Sequence, residues 1–202
     1  MATKTVGRKP RGTYHHGDLK EALKAAALRL VKEKGARGFS LNEASRLAGV
    51  SVGAPYRHFI DKDTLLSEVA RDGNEVMSAE IKKAVAKVEG LKEKMIEAGM
   101  AYLRFAVRHP DYFAVIFQAG LDKTKYPELE RSAREAFATI LDLSIRYENT
   151  PELGLERAVA AWALVHGLAT LELEGGIAMA VKRQPGLEHL RPLLERFLSA
   201  RS

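Results

Sequence analysis

The sequence predicts an all-α fold of about nine helices, with three short helices near the N-terminus followed by a longer C-terminal part. From residue 18 onward, apolar residues recur every three or four positions, which is the spacing of one face of an α-helix. No segment alternates apolar and polar residues as a half-buried strand would. Glycine and proline stand at the ends of the apolar runs, where helices begin or end.

The first two helices are marked by capping boxes. Asp18 can cap the first helix with Glu21 as its partner, and Gly35 ends it. Ser40 and Glu43 form a second box, which opens a short helix. Gly49 can end that helix because glycine readily adopts the left-handed conformation.

A third helix is predicted in SVGAPYRHF, residues 51–59, with Val50 filling the angle to the second helix and Ser51 as the cap. Pro55 then falls at the fourth helical position, where a proline forgoes the first hydrogen bond onto the Ser51 carbonyl. We therefore expect an opened or 3₁₀-like first turn, or a helix that begins one residue later.

Six further helices occupy the rest of the chain. Asp61 is expected to cap the fourth, which Gly90 ends, and Pro127 suits the start of the seventh. The predicted ranges are about 61–90, 91–108, 112–119, 127–148, 151–173 and 187–198. The last of these carries an amphipathic stripe, made of Leu187, Leu190, Leu193, Leu194, Phe197 and Leu198.

Positive charge is concentrated in the first third of the chain. Residues 1–62 hold 13 Lys and Arg against 5 Asp and Glu, a net of +8, whereas residues 63–202 hold 19 against 21, a net of −2. A basic surface that served only solubility would not need to be confined to one end. The asymmetry indicates a polyanion-binding part joined to a nearly neutral body.

The composition argues against several other classes of protein. The chain has no cysteine, which excludes disulfides and cysteine-ligated metals and is compatible with a reducing, cytoplasmic location. The longest apolar stretch, residues 158–173, is shorter than the roughly 20 residues of a membrane-spanning helix. No catalytic motif or phosphate-binding loop occurs, so we expect neither an enzyme nor a cofactor.

Residues 40–59, SLNEASRLAGVSVGAPYRHF, follow the pattern of a helix-turn-helix. In that motif the first helix crosses the DNA backbone and the second enters the major groove. Similar corners occur in helical proteins that bind no DNA, so the pattern alone is moderately specific.

The wider context resembles the DNA-binding domain of the TetR family of transcriptional regulators. The resemblance covers residues 25–66, with Gly35 ending the first helix, Ser40 opening the second, AGVS as the turn, YRHF closing the third helix and KDTLL opening the fourth. More weakly, AVRHPDYFAVIF and AWALVHGLATLELEGG resemble the C-terminal domain of a TetR subgroup with a Trp-x-x-x-His-Gly signature, here Trp162, His166 and Gly167.

This resemblance implies a homodimeric bacterial repressor that binds a palindromic operator. It implies three domains or segments: a flexible basic arm in residues 1–17, a helix-turn-helix domain in 18–62, and a ligand-binding and dimerisation domain in 63–202. A small ligand in the C-terminal domain would change the spacing of the two DNA-binding heads and release the operator.

The candidate DNA-binding residues are Arg11, Ser40, Ser51, Val52, Gly53, Ala54, Pro55, Tyr56, Arg57, His58 and Lys62. Ser40 stands at a helix N-terminus, where free N–H groups attract phosphate, although plain capping explains it as well. Lys62 is a cation in the first turn of a helix, which is mildly unfavourable and favours a phosphate contact over an inconsequential exposed lysine. Arg57 could contact guanine or phosphate. Phe59 is expected in the core.

The basic arm also contains His15 and His16, close to Asp18, which suggest metal ligands. Three potential ligands within four residues, without a fourth partner, are a weak metal signal. We therefore expect no metal, and an arm that contacts phosphate or the minor groove.

In the C-terminal domain, the candidate ligand pocket consists of Tyr102, Phe113, Phe117, Phe137, Trp162 and His166. His166 has two interpretations, a pocket polar group or a core histidine bonded to a backbone carbonyl, and the second is slightly favoured. The candidate dimer interface, in an intermolecular four-helix bundle of the eighth and ninth helices, contains Trp162, Leu190, Leu194 and Phe197.

Two functions remain in competition. One is a ligand-responsive repressor. The other is an all-helical small-molecule binder whose head no longer reads DNA, because Val52, Gly53 and Ala54 offer base edges few polar groups. Ligand identity, operator sequence, and repression as opposed to activation lie beyond the sequence.

Overall fold

The computed structural model describes residues 16–181 and 186–199, and within these ranges the chain forms nine α-helices and no strand. The helices are α1 (His16–Lys34), α2 (Leu41–Leu47), α3 (Lys62–Val85), α4 (Leu91–Arg108), α5 (Pro110–Gln118), α6 (Pro127–Glu148), α7 (Pro151–Leu173), α8 (Gly176–Val181) and α9 (Arg191–Ser199). Three 3₁₀ segments accompany them: η1 (Pro55–Arg57), η2 (Lys123–Lys125) and η3 (Leu187–Leu190). The all-α prediction is confirmed.

Most helix boundaries follow the capping chemistry of the sequence. Both halves of the Ser40–Glu43 capping box are present, and the Asp61 carboxylate accepts a hydrogen bond from the Thr64 amide at 2.7 Å. Pro127 occupies the first turn of α6. Two boundaries were predicted wrongly. Helix α1 begins at His16, so Asp18 lies inside its first turn, and α3 ends at Val85, because Gly90, with φ of 78°, precedes α4 instead.

The predicted third helix is wrong as a full helix, because only the 3₁₀ turn η1 forms in residues 51–59. The Ala54 amide bonds to the Ser51 carbonyl in a tight turn, and Ala54, not Ser51, is the residue before the first helical position. Pro55 therefore stands at that first position, where its missing N–H costs nothing. The expected 3₁₀-like turn is confirmed.

Two differences lie in the C-terminal part. Helix α5 begins at Pro110, directly after α4, since a proline at a first helical position interrupts one helix and starts the next. Helix α8 was not predicted, since the predicted ranges leave residues 174–186 without a helix; Gly175, with φ of 73°, ends α7, and α8 follows directly.

The N-terminal helices pack around a small core, which we call the head: α1, α2 and η1. Phe59 is almost fully buried there, as expected, together with Leu23, Ala27 and Ala44. Helix α3 belongs to both parts, since it packs on α1 at one side and on α4 and α6 at the other. The body consists of α3, α4, α6 and α7, with α5 between it and the head.

Polar contacts join the head to the body. The Arg37 guanidinium, in the loop after α1, pairs with Asp63 and donates at 3.2 Å to the carbonyl of Gly120, just after α5. Lys24 on α1 is buried and lies 2.5 Å from the carboxylate of Asp72 on α3. Removing one partner of a buried ion pair destabilises the folded protein strongly, so the Lys24–Asp72 pair fixes the head in position.

Among the helices described, none combines the length and hydropathy that crossing a lipid bilayer would require.

Candidate nucleic-acid interface and ligand cavity

An exposed surface is formed by the turn between α2 and η1 and by η1 itself. Five of the predicted DNA-binding residues are exposed there: Ser51, Val52, Gly53, Tyr56 and Arg57. Val52 is 47% exposed and Tyr56 55%. A Cβ added to Gly53 would meet no atom within 4 Å, so the backbone at Gly53 stands open to solvent. A thin, exposed turn beside an arginine and a tyrosine suits close approach to a groove.

Three other residues of the predicted DNA-binding set lie deeper. Pro55 is buried beneath the turn, which contradicts its assignment as a contact residue. Its ring is packed because it begins η1 on the inner side of the corner. Ala54 and His58 are half-buried, and the His58 ring lies 6.4 Å from that of Phe59.

The N-terminus of α2 already holds an anion. The Glu43 carboxylate accepts hydrogen bonds from the Ser40 amide at 2.8 Å and the Ser40 hydroxyl at 3.0 Å. The Lys34 ammonium, and then these Ser40 groups, lower the pKa of Glu43 to about 2. Plain capping by Ser40 is therefore confirmed. A phosphate contact there stays a prediction, and it would have to compete with Glu43.

Lys62 has a structural role that neither interpretation of the sequence anticipated. Its ammonium donates to the carbonyls of Arg37 and Phe39, both at 3.0 Å, and lies 5.4 Å from the centre of the Phe39 ring. It thereby ties the start of α3 to the loop between α1 and α2. Arg37 and Phe39 are distant from Lys62 in the sequence, so no local sequence pattern indicates these contacts.

Residues 1–15 of the basic arm, with Arg11 and His15, lie outside the described residues, whereas residues 16 and 17 belong to α1. The side chains of His16 and Asp18 are not described either. Within the described ranges, no group of three metal-ligating side chains is found.

Two further residues, close in sequence to the exposed turn of residues 51–57, are also exposed. Ile60 is the most exposed large apolar side chain of the head, and Arg46 is exposed in the last turn of α2. An apolar residue directly after the buried Phe59 is not by itself a signal of exposure, since Leu65 and Leu66 are also successive and are both fully buried.

The body encloses a cavity of about 380 Å³ between α3, α4, α5, α6, α7 and α9. Four residues of the predicted pocket line it: Tyr102, Phe117, Phe137 and Trp162. Phe113 and His166 are not among the lining residues. They pack behind Tyr102 and Phe117, with 5.4 Å between the Phe113 and His166 ring centres.

The hydroxyl of Tyr102 lies 2.9 Å from Nδ1 of His166. The partner of His166 is thus a side chain and not the backbone carbonyl that was favoured. Burial lowers the pKa of His166, so its ring is neutral at pH 7, and burial raises the pKa of the Tyr102 hydroxyl well above its usual range. The Tyr102–His166 pair is therefore uncharged, so it can be buried in the apolar wall of the cavity.

Several polar residues of the cavity wall were missed. Asn74 on α3 lines the cavity and donates from its amide to the Ser132 hydroxyl at 3.1 Å. Lys123, Glu130 and Arg134 line it as well, and the last two are paired with each other. Asn74 stood at core spacing between Ala70 and Met77, so a polar residue within an apolar stripe was the available signal.

The predicted dimer interface is only partly consistent with the structure. Leu190 and Leu194 are buried inside their own chain, with Leu194 only 4% exposed, because α9 and η3 turn their leucines onto α4. Phe197 is half-buried and lines the cavity. Trp162 remains 42% exposed, on an apolar outer face of α7 that also carries Leu155, Val159 and Leu173.

Two family models match the chain. The model described as bacterial regulatory proteins, tetR family, matches residues 23–69, and the model described as tetracyclin repressor-like, C-terminal domain, matches residues 95–193. Together they cover the head and most of the body. Curated proteins contain no match to this chain.

Solved structures share the fold along nearly the whole chain. A Rhodococcus sp. RHA1 protein of unknown function is 26% identical with a TM-score of 0.79, over 94% of this chain and 98% of that one. A transcriptional regulator from Rhodococcus sp. Rha1 is also 26% identical, with a TM-score of 0.66 over 89% and 94%. A TetR family transcription regulator from Marinobacter aquaeolei VT8 is 16% identical, with a TM-score of 0.68 over 90% and 94%.

Proposed function

Because the chain belongs to the tetR family of bacterial regulatory proteins, and is therefore a transcription regulator and not an enzyme, we propose that it is a cytoplasmic, ligand-released repressor. It binds a palindromic operator as a homodimer. A small molecule in the body cavity lowers its affinity for that operator.

The observation that carries the proposal is the exposed turn of residues 51–57 in the most basic part of the chain. Tyr56 and Arg57 project from it, and the backbone at Gly53 is open. Phosphate contacts by the surrounding cations supply affinity, and the short turn supplies contacts to base edges. Ser51, Val52, Tyr56 and Arg57 are the proposed reading residues, and Pro55 supports the turn from beneath.

The dimer is proposed to form on the outer face of α7. Between residues 158 and 171 this helix has no Asp, Glu, Lys or Arg, although half of it faces solvent in the single chain. A helix of this kind normally packs on both sides. A two-fold axis at α7 would bring Val159 and Trp162 of both copies together.

The path from cavity to head is proposed to run through α5. Ile116 and Phe117 line the cavity, and the carbonyl of Gly120, just beyond the end of the same helix, accepts the hydrogen bond of Arg37. A ligand that displaces α5 therefore changes a contact of the head. For this coupling, the ligand needs only to bind one of the two arrangements of α5 more tightly than the other.

Selection of bound duplexes from random DNA tests the proposal. We expect a palindromic consensus whose affinity falls steeply with salt, since bound phosphates release counterions. Arg57→Ala should flatten the sequence preference, whereas Arg131→Ala, in the body on α6, should leave it unchanged. Enrichment of no sequence would instead favour the competing function, a helical small-molecule binder that no longer reads DNA.

A further inference from the structure

The cavity has a polar end and an apolar end. Helices α3 and α4 run antiparallel past it, so Asn74 and Tyr102 lie at the end near α5, whereas Ile81 and Met95 lie at the other. On α6, Glu130 and Arg134 stand at the first end and Ile140 at the second. The helical rise from residue 130 to residue 140 gives the cavity a length of ~15 Å.

A length of this size and a volume of about 380 Å³ describe an elongated space. Its apolar end is closed by aliphatic and thioether side chains, Ile81, Met95, Ile140 and Leu198. Such a wall accepts a flexible apolar chain and offers it no hydrogen bonds.

The charge of the polar end is decided by Lys123. Glu130 and Arg134 neutralise each other as an ion pair. Asp122, the acid next to Lys123, bonds to Thr124 and pairs with Lys125. Across the described ranges, Lys123 has no carboxylate partner; the residue is half-buried, and its ammonium lies 5.9 Å from the centre of the Phe117 ring. The polar end therefore carries one uncompensated positive charge.

Asn74 adds a second polar group at this end. The Ser132 hydroxyl donates to the Leu129 carbonyl at 2.9 Å, so its oxygen accepts from the Asn74 amide. A side-chain amide has two N–H donors, and Ser132 takes one of them. An almost fully buried amide in a cavity wall is costly without further partners, and a polar ligand head would supply one.

We infer that the effector is an amphipathic monocarboxylate, with its carboxylate at Lys123 and an extended apolar body in the apolar end of the cavity. This inference rests on the proposed function, and it adds the chemical class of the ligand. A charge-assisted hydrogen bond to the ammonium of Lys123 favours the carboxylate over an alcohol or an amine of equal length.

Intrinsic fluorescence can follow binding, because Trp162 is the single tryptophan of the chain and lines the cavity. The probes are decanoate, decanol and decylamine, which share one chain and differ in the head group. We expect decanoate to bind more tightly than the other two. Lys123→Gln should weaken decanoate binding about tenfold and leave decanol binding unchanged.

Lys125→Gln is the matched control, because Lys125 is in the same segment η2, pairs with Asp122 and does not line the cavity. It should bind decanoate like the unmodified protein. Equal binding of all three probes, tighter binding of decylamine, or an unchanged Lys123→Gln variant would each overturn the inference. Operator binding is measured separately. A loss of the head-group preference would therefore not contradict the DNA-binding proposal, and a failure to release DNA would not contradict the inferred class of ligand.

Discussion

Pro55 illustrates how one residue can change the local structure without breaking it. At the fourth position of a helix it would remove a hydrogen bond, but the chain instead starts η1 at Pro55 and makes a tight turn before it. The amide of Phe59 still reaches the Pro55 carbonyl at 2.9 Å. The proline thus sets the corner and packs beneath it.

Pro55→Ala should destabilise the protein by about 1–2 kcal/mol, since it removes buried apolar atoms and loosens the turn. Urea unfolding measures this free energy. Gly53→Ala is the control, because an added Cβ there meets open space and should leave stability unchanged or slightly raised. If Pro55→Ala kept full stability but lost operator affinity, the proline would be a contact residue after all.

The structural roles of individual residues were predictable where their partners are close in sequence. Ser40 and Asp61 cap helices because their partners are three residues away. Lys62 and Asn74 were not predictable in the same way. Their partners, Phe39 and Ser132, are distant in sequence and are brought near only by the packing of α3 against the head and α6.

At the scale of elements, α6 and α7 come into unusually close contact at Gly154. A Cβ added to Gly154 would lie 2.5 Å from the Cα of Ile145, which is backbone and cannot rotate away. The glycine in ELGLER therefore marks a helix crossing. From the sequence it was only an isolated glycine inside a helical pattern, for which a cost in helix stability is the ordinary expectation.

Gly154→Ala should lower the free energy of unfolding by about 2 kcal/mol, because the two helices must separate. Thermal unfolding, followed by circular dichroism, checks the change. Gly73→Ala on α3 serves as comparison, since its Cβ would meet only side-chain carbons of Tyr112 and Ile116, which can shift. Equal losses in both variants would contradict the assignment of a backbone contact at Gly154.

The pattern of an element indicates that it is amphipathic but not which way it faces. The stripe predicted on residues 187–198 is divided between η3 and α9, and Leu193 is exposed, whereas Leu190 and Leu194 face the body. The middle of α7, residues 158–171, has apolar residues on all sides, so this part of the sequence does not indicate which side faces the core. Only the packing of the whole molecule decides which apolar face stays outside.

At the scale of the whole molecule, the outer face of α7 makes a test of assembly possible. Val159→Asp should yield folded monomers, because Val159 is 48% exposed in the single chain and a charge there opposes pairing with a second copy. Sedimentation velocity measures the state, and circular dichroism the fold. An unchanged sedimentation coefficient would exclude α7 as the interface.

Leu194→Asp is the comparison variant. It places a charge within the body core, so we expect loss of folding and not a clean monomer.

The contact between Arg37 and Gly120 has a consequence for the order of events in the cell. If this contact links cavity and head, one coupling free energy connects ligand binding with DNA binding. Operator DNA must then weaken ligand binding by the same factor as the ligand weakens DNA binding. Protein bound at its operator is then a poorer sensor than free protein. The free pool would fill with ligand first, and the operator would be vacated mainly because released molecules no longer return.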